Sequence, residues 1–216
     1  VFTQGFVPGS VSIGLEGRFA EWAGSLLPFD APIVLVTEPG QEKETIIRMA
    51  RVGFDKVIGY LEGGFNAWKN AGEETDMIID VEADELMMDM PHDPNLVVID
   101  VRRPTEFADG HLKEALNISL NDMNDPASMA NLEETQNLYV HCAGGYRSVI
   151  ASSLLKRQGI HNLKYSYKND KKFCCDLDVR IERIDSKIIY WRGLFPFLFE
   201  KENSKEELTL AENEKT

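Results

Sequence analysis

The apolar positions of this chain fall into two kinds of pattern. PIVLV (residues 32–36), LVVIDV (96–101) and NLYVH (137–141) are short apolar runs of strand-favouring residues, the pattern of strands buried on both faces. KETIIRMARVG (43–53) and RSVIASSLLKRQG (147–159) space their apolar positions helically instead. In the second, Val149, Ile150, Ser153, Leu154 and Arg157 keep the period, and Gly159 is a natural C-terminal stop. The runs at 32–36 and 137–141 each lead through a turn into one of these helices. Strands alternating with helices predict a mainly parallel sheet covered on both sides.

The same pattern occurs twice. GFVPGSVSIGL, starting at Gly5, lies over GHLKEALNISL, starting at Gly110, an offset of 110 − 5 = 105. That offset also pairs Ile33, Val34, Leu35 and Val36 with Leu138, Tyr139, Val140 and His141. After one extra residue, GFDKV (53–57) matches GIHNL (159–163). Register kept over this length implies two copies of one domain. The expected organisation is a first unit over 1–72, a linker over 73–82, a second unit over 83–201 and a polar tail over 202–216. Residue 1 aligns with 106, so LVVIDVRRPT (96–105) has no counterpart in the first unit, which is expected to lack its opening strand, the chain being a fragment of a longer protein or that strand coming from elsewhere.

Composition narrows the function. Net charge is −13 at pH 7, which argues against nucleic acid as the main partner, since phosphate backbones need clustered Lys and Arg. No apolar run approaches the ~20 residues that span a bilayer. The three cysteines, Cys142, Cys174 and Cys175, make no disulfide framework, so a reducing cytoplasm is expected.

The chemistry concentrates in VHCAGGYRS (140–148). Cys142 closes a buried strand, and a helix starts directly after the loop. Gly144 and Gly145 let backbone N–H groups turn inward, the helix N-terminus adds positive potential, and Arg147 can add a full charge. All three favour a thiolate, the nucleophilic form. A lone cysteine before a glycine pair is structural about as often as catalytic; the arginine, the tight spacing and the helix start shift the balance toward function.

CAGGYRS resembles the active-site loop of the rhodanese family, in which a cysteine opens a six-residue cradle, here 142–147. IDVRRPTEFADGHLKEALNISL (99–120) resembles the family's Asp-x-Arg, Glu-Phe and Gly-His hallmark. The resemblance implies two rhodanese-like α/β domains, each a mainly parallel sheet flanked by helices, and sulfane sulfur carried on Cys142. Arg147 would act with it, Ala143, Gly144, Gly145, Tyr146 and Ser148 would hold the substrate, and Asp100 and Arg102 would support the cradle. Glu106 and His111 look structural, and Arg103 is left open between solvent and substrate. The implied reaction moves sulfur from thiosulfate or a persulfide, such as glutathione persulfide, to a thiol or cyanide, with no metal or organic cofactor. Phosphatases that place five residues between Cys and Arg are the rival; four separate Cys142 from Arg147, a tighter cradle suited to a sulfur atom.

The offset puts Thr37 at the place of Cys142 and Glu42 at that of Arg147. Threonine forms no persulfide, and Glu38, Glu42 and Glu44 would repel an anionic donor, so the first unit is read as non-catalytic, its acids a solvated helix start. With GYLEGGFNAWKNAG (59–72) and GLEGRFAEWAGSLLPFD (14–30), this unit is similar to the tandem rhodanese region of bacterial metallo-β-lactamase-fold fusion proteins. That likeness implies a metallo-hydrolase or persulfide dioxygenase domain as a neighbour. His92, His111, His141 and His161 are scattered singly, with no metal-binding spacing. After Leu163 the second unit departs from the family pattern. Cys174, Cys175 and the apolar RGLFPFLFE (192–200) fall in that stretch, the last suited to covering a sheet edge or a partner. The alternative function is a non-catalytic binding or scaffold module.

Overall fold

The computed structural model describes residues 2–133, 135–166, 181–184 and 187–190. The fold is α/β, with parallel sheets flanked by helices. In the first unit α1 (Phe19–Leu26) precedes β1 (Ile33–Leu35), α2 (Glu42–Val52), β2 (Val57–Tyr60) and α3 (Gly64–Asn70). Strands β1 and β2 pair in parallel, with a one-residue shift between Ile33 and Val34. Gly53 ends α2 at φ 107°, its N–H donating to Ala50 O and Met49 O, a left-handed turn that glycine reaches without strain.

The second unit is fuller. It runs β3 (Ile79–Asp80), α4 (Ala83–Asp89), β4 (Leu96–Asp100), α5 (Pro104–Ala108), β5 (Leu116–Asn117), α6 (Pro126–Met129), β6 (Asn137–His141), α7 (Tyr146–Arg157) and β7 (Leu163–Ser166). Its five strands are all parallel, in the order β3-β7-β6-β4-β5. A separate antiparallel pair joins β8 (Ile181–Ile184) to β9 (Lys187–Tyr190). The three apolar runs are strands and the two periodic segments are helices, as their patterns require. Cys174, Cys175, residues 192–200 and the tail over 202–216 lie outside the described residues.

Two features differ from expectation for physical reasons. The stretch 73–82, expected as a linker, is tied into the fold. Phe6 and Asp76 exchange backbone hydrogen bonds of 2.9 and 3.0 Å, Ile78 N donates to Thr3 O at 2.9 Å, and Ile79–Asp80 form β3. Ile78 is buried among both units, so its apolar side chain anchors a segment that its acids made look loose. The second difference is in α7. Helical spacing predicts one buried face, yet residues 150–155 are all buried. The sheet covers one side, and the first unit covers the other: Phe6, Trp22 and Leu26 share one core with Ile150, Ala151, Leu154 and Leu155. A helix covered on both sides loses the exposed polar stripe.

The opposite face of the second sheet is closed by α4. Leu86 and Met87 pack on Val98 and Tyr139. The Tyr139 hydroxyl donates to Asp89, and Lys164 Nζ lies 2.5 Å from that hydroxyl and 3.3 Å from the Asp89 carboxylate. These contacts hold the Asp89 carboxyl below its ordinary range, chiefly through the tyrosine hydrogen bond.

Candidate active site

Strand β6 delivers Cys142 to the C-terminal edge of the second sheet, where parallel α/β folds place their ligand sites. Its side chain is 1% exposed. Gly145, at φ 84°, turns the chain into α7, and this conformation aims its N–H at the sulfur. Sγ accepts from Gly145 N at 3.2 Å and from Ser148 N at 3.3 Å. Of the loop amides expected to line the cradle, these two reach the sulfur. Gly145 is the N-cap and Ser148 lies in the first turn of a 12-residue helix, whose dipole favours negative charge at that end.

Ser148 contributes its side chain as well as its amide. The thiol donates to Ser148 Oγ across 3.5 Å, and that hydroxyl has Gly145 O at 3.0 Å and Ser166 O at 3.4 Å as acceptors. A hydroxyl hydrogen rotates to suit its surroundings. When Cys142 ionises, the Ser148 hydroxyl can turn to it as a third donor. Sequence reasoning gave Ser148 a binding role, and the structure adds this rotor. Ser166 enters from β7 and was missed, since nothing in its local sequence marks it.

Arg147 is where the structure revises the expectation most. Its guanidinium grips Glu106 with two parallel bonds, Nη1 to Oε2 at 2.7 Å and Nη2 to Oε1 at 2.8 Å. The full positive charge expected at the cradle is therefore compensated. This fork-to-fork geometry also holds the Glu106 carboxyl down at about 2, with a further contribution from the Arg103 amide. The pair ties α7 to α5, so Glu106 is structural, as its motif implied, but acts through Arg147.

Asp100 and Arg102 pair with each other at the end of β4. Asp100 is fully buried and receives Arg102 Nε at 2.9 Å and Nη2 at 2.6 Å, while its Oδ1 also accepts the Arg102 N–H. Arg102 reaches on to Gly110 O at 2.7 Å. His141, one residue before Cys142, sits with Nε2 3.6 Å from Asp100 Oδ2. Asn117 Nδ2 donates to Asp100 O and Arg102 O, pinning β5 to the turn. Asn117 was missed, because its importance lies in contact across strands. His111 stacks on Phe107 and holds its carbonyl oxygen at 2.9 Å.

The first unit forms part of the rim. Tyr146 donates its hydroxyl to Gly14 O at 2.8 Å, and a side chain on Gly14 would meet the Tyr146 ring at 3.1 Å. Burial pushes the Tyr146 phenol above its ordinary range. Arg103 lies 3.8 Å from Glu21 of α1. Gly144 faces open space, leaving the backbone beside the cysteine accessible. In the first unit, Glu42 accepts from Gly40 N and Glu44 pairs with Arg48 at 2.7 Å, so these carboxylates stabilise their own turn and helix. Among the described residues no three His, Cys, Asp or Glu gather in a way that could hold a metal ion, and no helix is long and apolar enough to cross a membrane.

A family model of the rhodanese-like domain matches residues 1–71 and again residues 82–172. The chain belongs to the rhodanese-like family. Among its relatives, a sulfurtransferase of Allochromatium vinosum is 24% identical over 83 residues, 38% of this chain and 76% of that protein. A thiosulfate:glutathione sulfurtransferase of Saccharomyces cerevisiae is 24% identical over 112 residues, 45% of this chain and 81% of that protein. An uncharacterized protein of Bacillus subtilis is 34% identical over 74 residues, 33% of this chain and 57% of that protein. Among solved structures, a thiosulfate sulfurtransferase from Pseudomonas aeruginosa superposes with a TM-score of 0.41 at 17% identity, over 88% of this chain and 38% of that one. The rhodanese-like family model includes both units of the chain, whereas these three relatives each span less than half of it.

Proposed function

We propose that the second unit is a sulfurtransferase that carries sulfur as a persulfide on Cys142. The observation that carries this reading is the buried Sγ at the N-terminus of α7, receiving two amide N–H groups with a hydroxyl rotor beside it. Those donors favour an anion at this point, and a persulfide places its charge one atom further out, toward the open side at Gly144. In the first half-reaction the Cys142 thiolate attacks the outer sulfur of the donor. A Cys–S bond forms, the donor's S–S bond breaks, and sulfite or a thiolate leaves with the electron pair. In the second half an acceptor thiolate attacks the terminal sulfur, the new persulfide departs, and the Cys142 thiolate returns.

Arg147 is compensated by Glu106, and Ala143, Gly144, Gly145 and Tyr146 are uncharged. A cradle of this kind favours a glutathione persulfide or a protein-bound donor over doubly charged thiosulfate. The resemblance of residues 1–72 to fusion proteins points the same way, because a persulfide dioxygenase neighbour would act on the same class of compound. Intact-protein mass spectrometry after incubation with each donor tests the reading. The expected result is a gain of one sulfur, about 32 Da, removed by dithiothreitol or cyanide and absent from Cys142→Ser. A folded protein that takes no sulfur from either donor would leave the scaffold function in its place.

A further inference from the structure

Arg103 belongs to the turn that supports the cradle, yet the chemistry at Cys142 leaves it without a role. Its neighbour Arg102 is engaged by Asp100 and by Gly110 O. Arg103 stands at the N-cap of α5. Its backbone N–H donates to Glu106 Oε2 at 3.2 Å, and the same oxygen receives Arg147 Nη1 at 2.7 Å. One carboxylate therefore ties the Arg103 backbone to the guanidinium that follows Tyr146 in the cradle loop. The Arg103 side chain is used for something else. It is 50% exposed and reaches toward the first unit, where Glu21 Oε1 lies 3.8 Å from its Nη2.

Glu21 is shared. Its other oxygen, Oε2, pairs with Arg18 at the start of α1. The Arg18 guanidinium also lies 5.9 Å from the centre of the Trp22 ring, a contact that steadies the group without neutralising it. Two guanidinium groups thus face one carboxylate, and one positive charge is left over in a chain whose net charge is −13. The Arg103 contact is longer than a hydrogen bond, and among the described residues Glu21 is the charged group that its side chain meets. Its N–H fork stays open to a carboxylate arriving from solvent. Gly14, whose carbonyl receives the Tyr146 hydroxyl, lies four residues before Arg18. The two contacts, Tyr146 with Gly14 and Arg103 with Glu21, therefore join the units beside the Arg147–Glu106 pair.

We propose that Arg103 and Arg18 anchor a carboxylate of a small anionic thiol, of the size and charge of glutathione, while its sulfur reaches Cys142. The inference rests on the sulfurtransferase reading and names the substrate class of that site. A tripeptide spans about 10 Å when extended. Its carboxylate can stay at the seam between the units while its sulfur enters the cradle, where Cys142 is buried. The anchoring charge then sits at the rim, away from the cradle, whose own Arg147 is compensated by Glu106. In the discharge step the acceptor thiolate attacks the terminal sulfur and leaves as its own persulfide, and the electron pair of the broken S–S bond returns to Cys142. Glu21 competes with the incoming carboxylate for both arginines and so sets how tightly the thiol is held.

The test follows discharge of the Cys142 persulfide in the full chain by mass spectrometry. Protein loaded to completion with glutathione persulfide is freed of excess reagent. It is then mixed at low salt with glutathione or with glutathione diethyl ester, the same thiol with both carboxylates masked. Discharge to glutathione is expected to be severalfold faster than to the ester, and added salt to erase the difference. Arg103→Gln and Arg18→Gln are each expected to lower that preference about threefold, the size of an exposed ion pair. Glu21→Gln is expected to raise it, because both arginines are then released to the thiol. A bridge that only fastens the units predicts otherwise, since Arg103→Gln and Glu21→Gln break it alike. Equal rates for the two thiols in the parent protein, or a preference that falls in Glu21→Gln as in Arg103→Gln, would overturn the anchor alone. A Cys142 that takes up no sulfur would overturn the sulfurtransferase reading and the anchor with it.

Discussion

The two units follow one chain pattern and build different structures from it. In the second, a five-stranded sheet buries β6 on both edges, and the strand ends in a cysteine facing two amides. In the first, β1 has one neighbour among the described residues, and the equivalent position is Thr37. The first unit nevertheless covers α7, the helix that carries the cradle, through Phe6, Trp22 and Leu26. The same strand–loop–helix thus carries different groups in the two units: Cys142 faces two amides at the start of a helix that the first unit helps to hold, whereas Thr37 stands at the corresponding place.

The sharpest way to break this comparison is to exchange the residues. Cys142→Ser is expected to abolish sulfur loading while leaving the fold intact. Thr37→Cys is expected to gain none, because the loop after Thr37 carries Glu38 and Glu42 near the helix start instead of an uncharged glycine turn. Mass spectrometry of both variants decides it. Sulfur loaded at position 37 of the Thr37→Cys protein would show that backbone alone makes the site.

The next largest effect tests the support. Trp22 is 3% exposed and lies in the core shared with α7. Trp22→Ala is expected to cost about 3–5 kcal/mol in urea denaturation and to slow sulfur loading, although Trp22 lies in the first unit and Cys142 in the second. A stability loss without any effect on loading would mean that α7 holds its own position.

Much of this architecture was legible in the chain. The apolar runs mark β1, β4 and β6 because strands buried on both faces have no polar alternation to confuse the pattern. The pairing of Cys142 with Ser148 and of Asp100 with Arg102 was within reach of the sequence because each pair sits in one short loop or turn. What the pattern hid was pairwise. The charge of Arg147 reads as free until Glu106 is brought to it across 41 residues. The linker reads as loose until Ile78 finds a pocket between units. Asn117 and Ser166 act on neighbouring strands, and strand order is not written in spacing.

The Arg147–Glu106 clamp gives a smaller, pH-dependent effect. Arg147 depresses the Glu106 carboxyl to about 2 in the folded protein, below its ordinary 4.5 in the unfolded chain. Stability from the clamp is therefore fully present above pH 4.5 and is lost as pH falls toward 2. Urea midpoints measured between pH 2 and 6 should show a shallower acid decline in Glu106→Gln than in the parent protein. An identical decline would assign the acid limb to other carboxylates.

The smallest effect concerns Tyr146, whose hydroxyl reaches Gly14 O of the first unit. If that bond only fastens the units, Tyr146→Phe should cost about 0.5–1.5 kcal/mol and leave the rate of sulfur loading unchanged. The ring would still lie against Gly14, so the rim keeps its shape. A different outcome separates the two roles that the residue can have. Loading slowed severalfold with stability intact would mean that the hydroxyl meets the donor during transfer, leaving Gly14 to do so. Tyr146 would then belong to substrate binding, and the first unit would serve the reaction by holding that hydroxyl in reserve.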